Sequence, residues 1–168
     1  MSVLWIVLTL VAVQRIAELA YSARNTRRLR ARGGRETGAV QYPFLVLLHA
    51  AWLISMGVLI PASTQPNWWL LGVYAALQPL RLWTIVTLGP YWTTRIIGVP
   101  GAPLVRAGPY RLVRHPNYVV VCAEIAILPL AFGNAEIAIV FSILNASFLS
   151  WRIRVEERTL IARRSRPT

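Results

Sequence analysis

The residues of this chain best suited to chemistry crowd into one stretch, Gly108-Pro109-Tyr110-Arg111-Leu112-Val113-Arg114-His115-Pro116-Asn117-Tyr118, which holds one of only two histidines. Pro116 disfavours the α region for His115 and suits the first turn of a following helix. The stretch therefore ends at a helix N-terminus, whose N–H groups and dipole favour an anionic group such as a carboxylate. Tyr110 and Tyr118 present faces for an adenine ring or a cation. Far along the chain, Glu156 and Glu157 can accept from an amine or from ribose hydroxyls. Taken alone, that acidic pair also reads as a solvated one, paired one helical turn away with neighbouring arginines.

The elements that must position these groups are apolar. Of 168 residues, 56% are apolar and 14% charged, too greasy for an ordinary soluble domain and too short for a membrane part plus a soluble catalytic domain. The site must then be built from membrane helices and their loops. The net charge is +12, and all 18 basic residues are arginine. They fall between hydrophobic segments and form no nucleic-acid-binding module, so membrane lipids are the expected partners and nucleic acid is not. With a single cysteine, no disulfide or cysteine-based metal site is possible within one chain, and no metal is expected. Cys122, inside an apolar run, reads as a small buried hydrophobe.

In chain order, Val3 to Leu19 is a first span and makes a poor cleavable signal, because it lacks a basic leading region. Arg15 and Glu18 lie three residues apart and can pair on one helix face. Ser22 to Gln41 is a polar segment rich in arginine, with Asn25 and Glu36 able to reach a site at the same membrane face; its bland reading is a solvated loop touching anionic headgroups. Pro43 to Pro61 is a second span whose only ionisable group is His49, roughly 10 Å below Tyr42 at 1.5 Å per residue. A lone histidine there serves either as an interhelical donor or as a base. Trp68 to Leu88 is a third span holding Arg81, costly at that depth unless it snorkels or pairs with Glu18 or an anionic ligand.

Gly89 to Asn117 has too many glycines and prolines for a long helix, and a loop of this length is usually functional; Tyr91 to Ile97 alternates weakly, as a short strand or interfacial turn would. Tyr118 to Phe132 and Ala135 to Ser150 form a tight helical hairpin about Gly133-Asn134. Each is short for a span of about 20 residues, though the first can borrow Pro116-Asn117 and the second Trp151. Trp151 to Arg164 reads as an amphipathic, water-facing helix. The fold class is thus an all-α integral membrane protein of about five transmembrane helices. Residues 1–87 supply three spans on the substrate side, and 88–168 supply the loop, the hairpin and the C-terminal helix. Arginines gather in the loops after spans one and three and in the tail, which by the positive-inside rule predicts a multi-pass cell-membrane protein with its N-terminus outside and its C-terminus and site cytoplasmic.

Gly108-Pro-Tyr-Arg, Arg114-His-Pro-Asn-Tyr118, a short hairpin and then Arg154-Val-Glu156-Glu157-Arg-Thr-Leu160 together resemble the C-terminal core of the isoprenylcysteine carboxyl methyltransferase family. The N-terminal part, with Gln14-Arg15, Glu18-Leu19, Asn25, Gly33-Gly34, Glu36, Tyr42-Pro43 and His49, is similar to a bacterial branch that O-methylates alkylpyrones or alkylresorcinols and is often associated with type III polyketide synthases. The resemblance implies S-adenosylmethionine as methyl donor, with cofactor binding at His115, Pro116, Tyr118 and Glu156, and also at Tyr110, Arg111 and Glu157. It implies a lipophilic small-molecule acceptor entering from the bilayer. For acceptor chemistry the candidates come from depth and residue type: Arg154 or Arg81 to clamp a carboxylate, His49 or Glu18 to take a proton from a phenol or enol. Two other readings remain open at this point. One is a membrane sterol-type reductase using NADPH, which would favour an Arg-Asp pair where this chain has Glu156-Glu157. The other is a non-enzymatic lipid-binding subunit with a basic face.

Overall fold

The computed structural model describes residues 2–102 and 105–164, with side chains described as far as residue 156. Helix α1 spans Val3–Ala31, so the first half of the polar segment expected to be a loop from Ser22 to Gln41 is helical. Two things carry the helix on. Arginine, alanine and leucine are good helix formers, and Ser22, Asn25, Thr26 and Leu29, at helical spacing, are buried against the rest of the protein. The helix stops at Gly33-Gly34, where Gly34 N donates to Leu29 O at 2.9 Å, Gly33 N donates to Arg30 O at 3.0 Å and Gly33 takes φ 80°. That paired bonding about a left-handed residue closes the open carbonyls of the last turn.

Helix α2 spans Gln41–Leu59 and ends at extended Ile60, as the following Pro61 requires. Helix α3 spans Trp68–Leu88, the expected bounds, and is capped by Asn67, whose side chain accepts from Trp69 N and Leu70 N. Helices α4 (Pro116–Ala131) and α5 (Ala135–Arg164) form the expected hairpin, with Gly133 at φ 72° and Asn134 Oδ1 accepting from Ile137 N. Span and tail are one continuous helix in α5, because no breaker separates Ser150 from Trp151. Strands β1 (Arg35–Thr37) and β2 (Ile96–Gly98) pair antiparallel, with Glu36 opposite Ile97. The alternation before Ile97 thus ends in a short strand.

Four helical segments are long and apolar enough to cross a membrane: Val3–Ala31, Gln41–Leu59, Trp68–Tyr91 and Ala135–Glu156. Helix α4 begins at Pro116, as borrowing required, yet its 16 residues reach only about 24 Å. The molecule is therefore an all-α integral membrane protein with four such helices and a shorter apolar one. Leu10, Leu47, Val58 and Ile143 are exposed along the helix surfaces, whereas Leu4, Leu8, Trp52, Met56, Leu128 and Phe132 fill a core between α1, α2, α4 and α5. Cys122, expected in that core, is exposed on α4, where Asn145 Nδ2 donates to its Sγ at 3.4 Å. A helix apolar all round carries no pattern that separates its buried face from its lipid face.

The polar centre is a charge-balanced cluster. Glu124 of α4, fully buried, accepts from Arg15 at 2.7 Å and from Arg81 at 2.9 Å. Arg81 grips Glu18 with two further donors at 2.6 Å each, and Arg15 also reaches Glu18 at 3.2 Å. Gln14 and Gln78 close the ring, Gln14 donating to Glu18 and Gln78, and Gln78 donating to Glu124. Two cations face two anions, so the cluster is neutral. Removing one partner of a buried pair leaves an uncompensated charge at a cost of about 3–5 kcal/mol. Glu124→Ala is expected to lower stability by that order in detergent unfolding titrations, against about 1.5–3 kcal/mol for Gln14→Ala, which removes a neutral donor from the Glu18 carboxylate and leaves the charges balanced. Equal losses would show that charge balance is not what binds α1, α3 and α4.

Candidate functional site

The buried polar face of α1 holds the long loop in place. Asn25 Nδ2 donates to Gly89 O at 3.1 Å and to Trp92 O at 2.9 Å, while Ser22 Oγ accepts from Thr94 N at 2.9 Å and bonds Thr94 Oγ1 at 2.8 Å. Tyr21 stacks on Trp92 with ring centroids 5.8 Å apart. A loop's backbone groups need partners when buried, and α1 supplies them from side chains. Beyond this anchor, Glu36 of β1 accepts from Arg95 at 2.7 Å and from Arg30, and the Arg95 guanidinium lies over the Tyr42 ring at 3.8 Å from its centroid.

Beneath the loop lies a cavity of about 1270 Å³. At one part of its wall, His115 and Tyr118 stack with centroids 5.1 Å apart and planes 10° from parallel. Tyr118 Oη donates to Glu156 Oε2 at 2.9 Å and accepts from Arg152 Nε at 2.9 Å; Arg152 also donates to Thr94 O at 2.9 Å. His115 Nδ1 is 3.8 Å from Glu156 Oε2. Asn117 Oδ1, buried in the same wall, accepts no hydrogen bond. Burial pushes the Tyr110 phenol up to about 12, aided by Glu156, so Tyr110 stays a protonated donor at the wall. Elsewhere the lining comes from the bodies of the spans: Arg15 and Glu18 of α1, His49 of α2 and Arg81 of α3. His49 Nδ1 stands 2.9 Å from Leu45 O. A carbonyl only accepts, so Nδ1 carries the hydrogen and Nε2 keeps its lone pair.

Of the residues singled out from sequence, His115, Tyr118, Glu156, Tyr110, Arg111, His49, Glu18 and Arg81 line this one cavity. Pro116 is the buried first residue of α4 and shapes the turn behind His115. Arg154 is exposed and does not line the cavity, because two residues along a helix turn a side chain to the opposite face. Arg152, one turn before Glu156, stands there instead. The side chain of Glu157 lies outside the described residues. Sequence reasoning missed Arg152, Asn117 and Thr94; spacing of four residues from Glu156 would have named Arg152.

Fold and cavity together define a multi-pass membrane protein whose candidate site joins the loop after α3 to the start of α4 and the middle of α5. The family model described as isoprenylcysteine carboxyl methyltransferase (ICMT) matches residues 70–162, more than half of the chain, and the chain belongs to that family. Membership supports a membrane methyltransferase. The chain is also similar to the uncharacterized protein YpbQ of Bacillus subtilis (strain 168), 38% identical over 160 residues, covering 93% of this chain and 95% of the relative. That relative's name assigns no activity, so the narrower likeness to alkylpyrone and alkylresorcinol methyltransferases is not borne out by it. No solved structure matches the chain.

The strand pair that roofs the cavity carries its own pH dependence. Partial burial opposes ionisation of Glu36, but Arg95 and Arg30 outweigh it and hold the carboxyl below its ordinary range. A carboxyl lowered on folding stabilises the fold above its unfolded pKa of about 4.3, and that contribution is lost as pH falls through the lower folded value. The melting temperature of the wild type should therefore exceed that of Glu36→Gln near neutral pH, with the gap closing on acidification below about pH 4. A gap constant with pH would mean that the carboxylate charge is not what ties β1 to Arg95.

Proposed function

We propose that this protein is an S-adenosylmethionine-dependent O-methyltransferase whose acceptor is a lipophilic small molecule drawn from the bilayer. The observation that carries the reading is the single cavity, shared by the His115, Tyr118 and Glu156 wall and by His49 within the membrane spans. The donor set suits the cofactor. Asn117 Oδ1 is an orphaned buried acceptor that calls for an N–H such as that of adenine, Glu156 suits ribose hydroxyls or an ammonium, and the His115–Tyr118 stack offers an aromatic face. Arg111 at the rim suits a carboxylate. Bound there, the cofactor supplies an electrophilic methyl group on a sulfonium.

The chain's own residues then have distinct tasks. Arg152 and Tyr118 fix the Glu156 carboxylate before any ligand arrives, which spares the ordering cost of a free side chain. His49 Nε2, with its lone pair open, takes the proton of a hydroxyl acceptor. Glu18 is a poorer base, since Arg81 holds both of its oxygens. Arg81 and Arg15 are already neutralised by two carboxylates, so this part of the cavity suits a neutral hydroxyl better than a free carboxylate, which would have to displace a glutamate. The clustering of arginines in the C-terminal part of α1 and the turn after it, in the loop after α3 and in the C-terminal part of α5 supports a cell-membrane protein with its N-terminus outside and its cofactor entry cytoplasmic.

Two measurements separate the tasks. In calorimetry with S-adenosylhomocysteine, Glu156→Gln and His115→Ala should each weaken binding at least about tenfold, or roughly 1.4 kcal/mol; unchanged affinity in both would place the cofactor elsewhere. His49→Ala should leave that binding intact and lower kcat on hydroxyl acceptors by about 10²–10⁴-fold. The assay panel is labelled cofactor with alkylpyrones, alkylresorcinols and prenylcysteines, and no transfer to any of them would overturn the reading.

A further inference from the structure

Residues 106–114 form the rim of the cavity beside the end of α3. Gly108 takes φ 51° and presses so near that helix that an added Cβ would lie 2.7 Å from Thr87 Oγ1 and 3.1 Å from Trp83 Nε1. Both contacts belong to a segment long and apolar enough to cross a membrane, Trp68–Tyr91, within its last nine residues. At 1.5 Å per residue Gly108 therefore packs about 6–12 Å from that end, near the level of a bilayer's boundary. Its side chains match that level. Leu112, at 82%, is the most exposed large hydrophobic side chain among the described residues, and Val113 beside it is 46% exposed. Trp83, half-exposed next to them, is a residue type that settles at membrane interfaces.

Around these two apolar residues stand Arg106, Arg111 and Arg114, all exposed. Among the described residues none of the three forms an ion pair or donates a side-chain hydrogen bond, in contrast to Arg15, Arg30, Arg81, Arg95 and Arg152. One ligand carboxylate can engage one of them, leaving Arg106 and Arg114 without an anion. A soluble acidic partner would answer the cations and leave Leu112 and Val113 unexplained. A bilayer surface answers both, with phosphates above and acyl chains below.

We propose that the 106–114 segment is a lipid-contacting lobe: Leu112 and Val113 enter the boundary of the bilayer while Arg106 and Arg114 pair with phosphates of anionic lipids. The cavity then opens onto a headgroup layer, and the lobe's seating depends on lipid charge. The placement concerns the lobe alone and stands whatever reaction the cavity performs.

The test uses the full chain with Cys122→Ser, reconstituted in phosphatidylcholine bilayers with and without phosphatidylglycerol, at constant ionic strength. A nitroxide is attached at Leu112→Cys or, separately, at Val113→Cys. Labels at Ile143→Cys and Arg32→Cys serve as lipid and water references. Collision with oxygen relative to a water-soluble nickel chelate is read by electron paramagnetic resonance. The labels at 112 and 113 should give ratios severalfold above the Arg32→Cys reference, rising further with phosphatidylglycerol, and Arg106→Glu with Arg114→Glu should abolish that rise. Ratios equal to the water reference would overturn membrane contact. A rise that survives the charge reversals would overturn the arginine–phosphate pairing, and a rise reproduced by inorganic phosphate over pure phosphatidylcholine would assign the site to a free anion.

Discussion

Hydrocarbon does not solvate charge, and the arrangement of α1, α3 and α4 follows from that constraint. Arg15, Glu18, Arg81 and Glu124 each lie inside an apolar helix, where a lone ion is strongly disfavoured. They answer one another across three helices with balanced charge. Apolar packing between lipid-like surfaces sets neither rotation nor depth, since one greasy face resembles another and lipid competes for both. A bidentate pair such as Arg81 with Glu18 sets both at once, because a rotation of one helix or a slip of one residue would part donors from acceptors. Once α1 and α3 are locked, Asn25 and Ser22 meet the start of the loop, and the loop's course over the cavity is determined.

The loop itself obeys the same accounting with neutral groups. Its carbonyls at Gly89, Trp92 and Thr94 are taken by side chains from α1 and α5, and its short strand is completed by β1. Such a loop is ordered by helices remote in sequence. That is how a segment full of glycine and proline keeps His115 and Tyr118 stacked at the head of α4.

What could be read from sequence follows from this division. Span positions were legible where apolar runs end in strong signals: Gly89 after Leu88, and Gly133-Asn134 between the last two helices. The pairing of Arg15 with Glu18 was legible from spacing, and that of Glu18 with Arg81 from the cost of a lone arginine. Glu124 as the hub was not, because a uniformly apolar helix gives no phase and its one acid has no local partner. The continuation of α1 to Ala31 was missed because its polar residues look solvated until their partners in the distant loop are known. The motif around His115 was legible as a group. Which tail arginine faces the cavity is set by helix phase: Arg152 lies one turn from Glu156 and shares its face, whereas Arg154 turns away.

A division at residue 88 therefore describes roles along the chain and not a seam in its packing. Arg15 reaches Glu124, Asn25 reaches Trp92, Ser22 reaches Thr94 and Glu36 reaches Arg95, each across that point. Nothing in the first half could bury Arg15 and Arg81 in balanced charge without α4, and nothing in the second could hold the loop without α1. The cavity exists only where the two meet, so its volume and its polar lining rise or fall together with the assembly of the whole helix set. The cavity is lined by the same Arg15, Glu18 and Arg81 whose pairing joins the helices, so a change that parts those charges alters the site and the packing together.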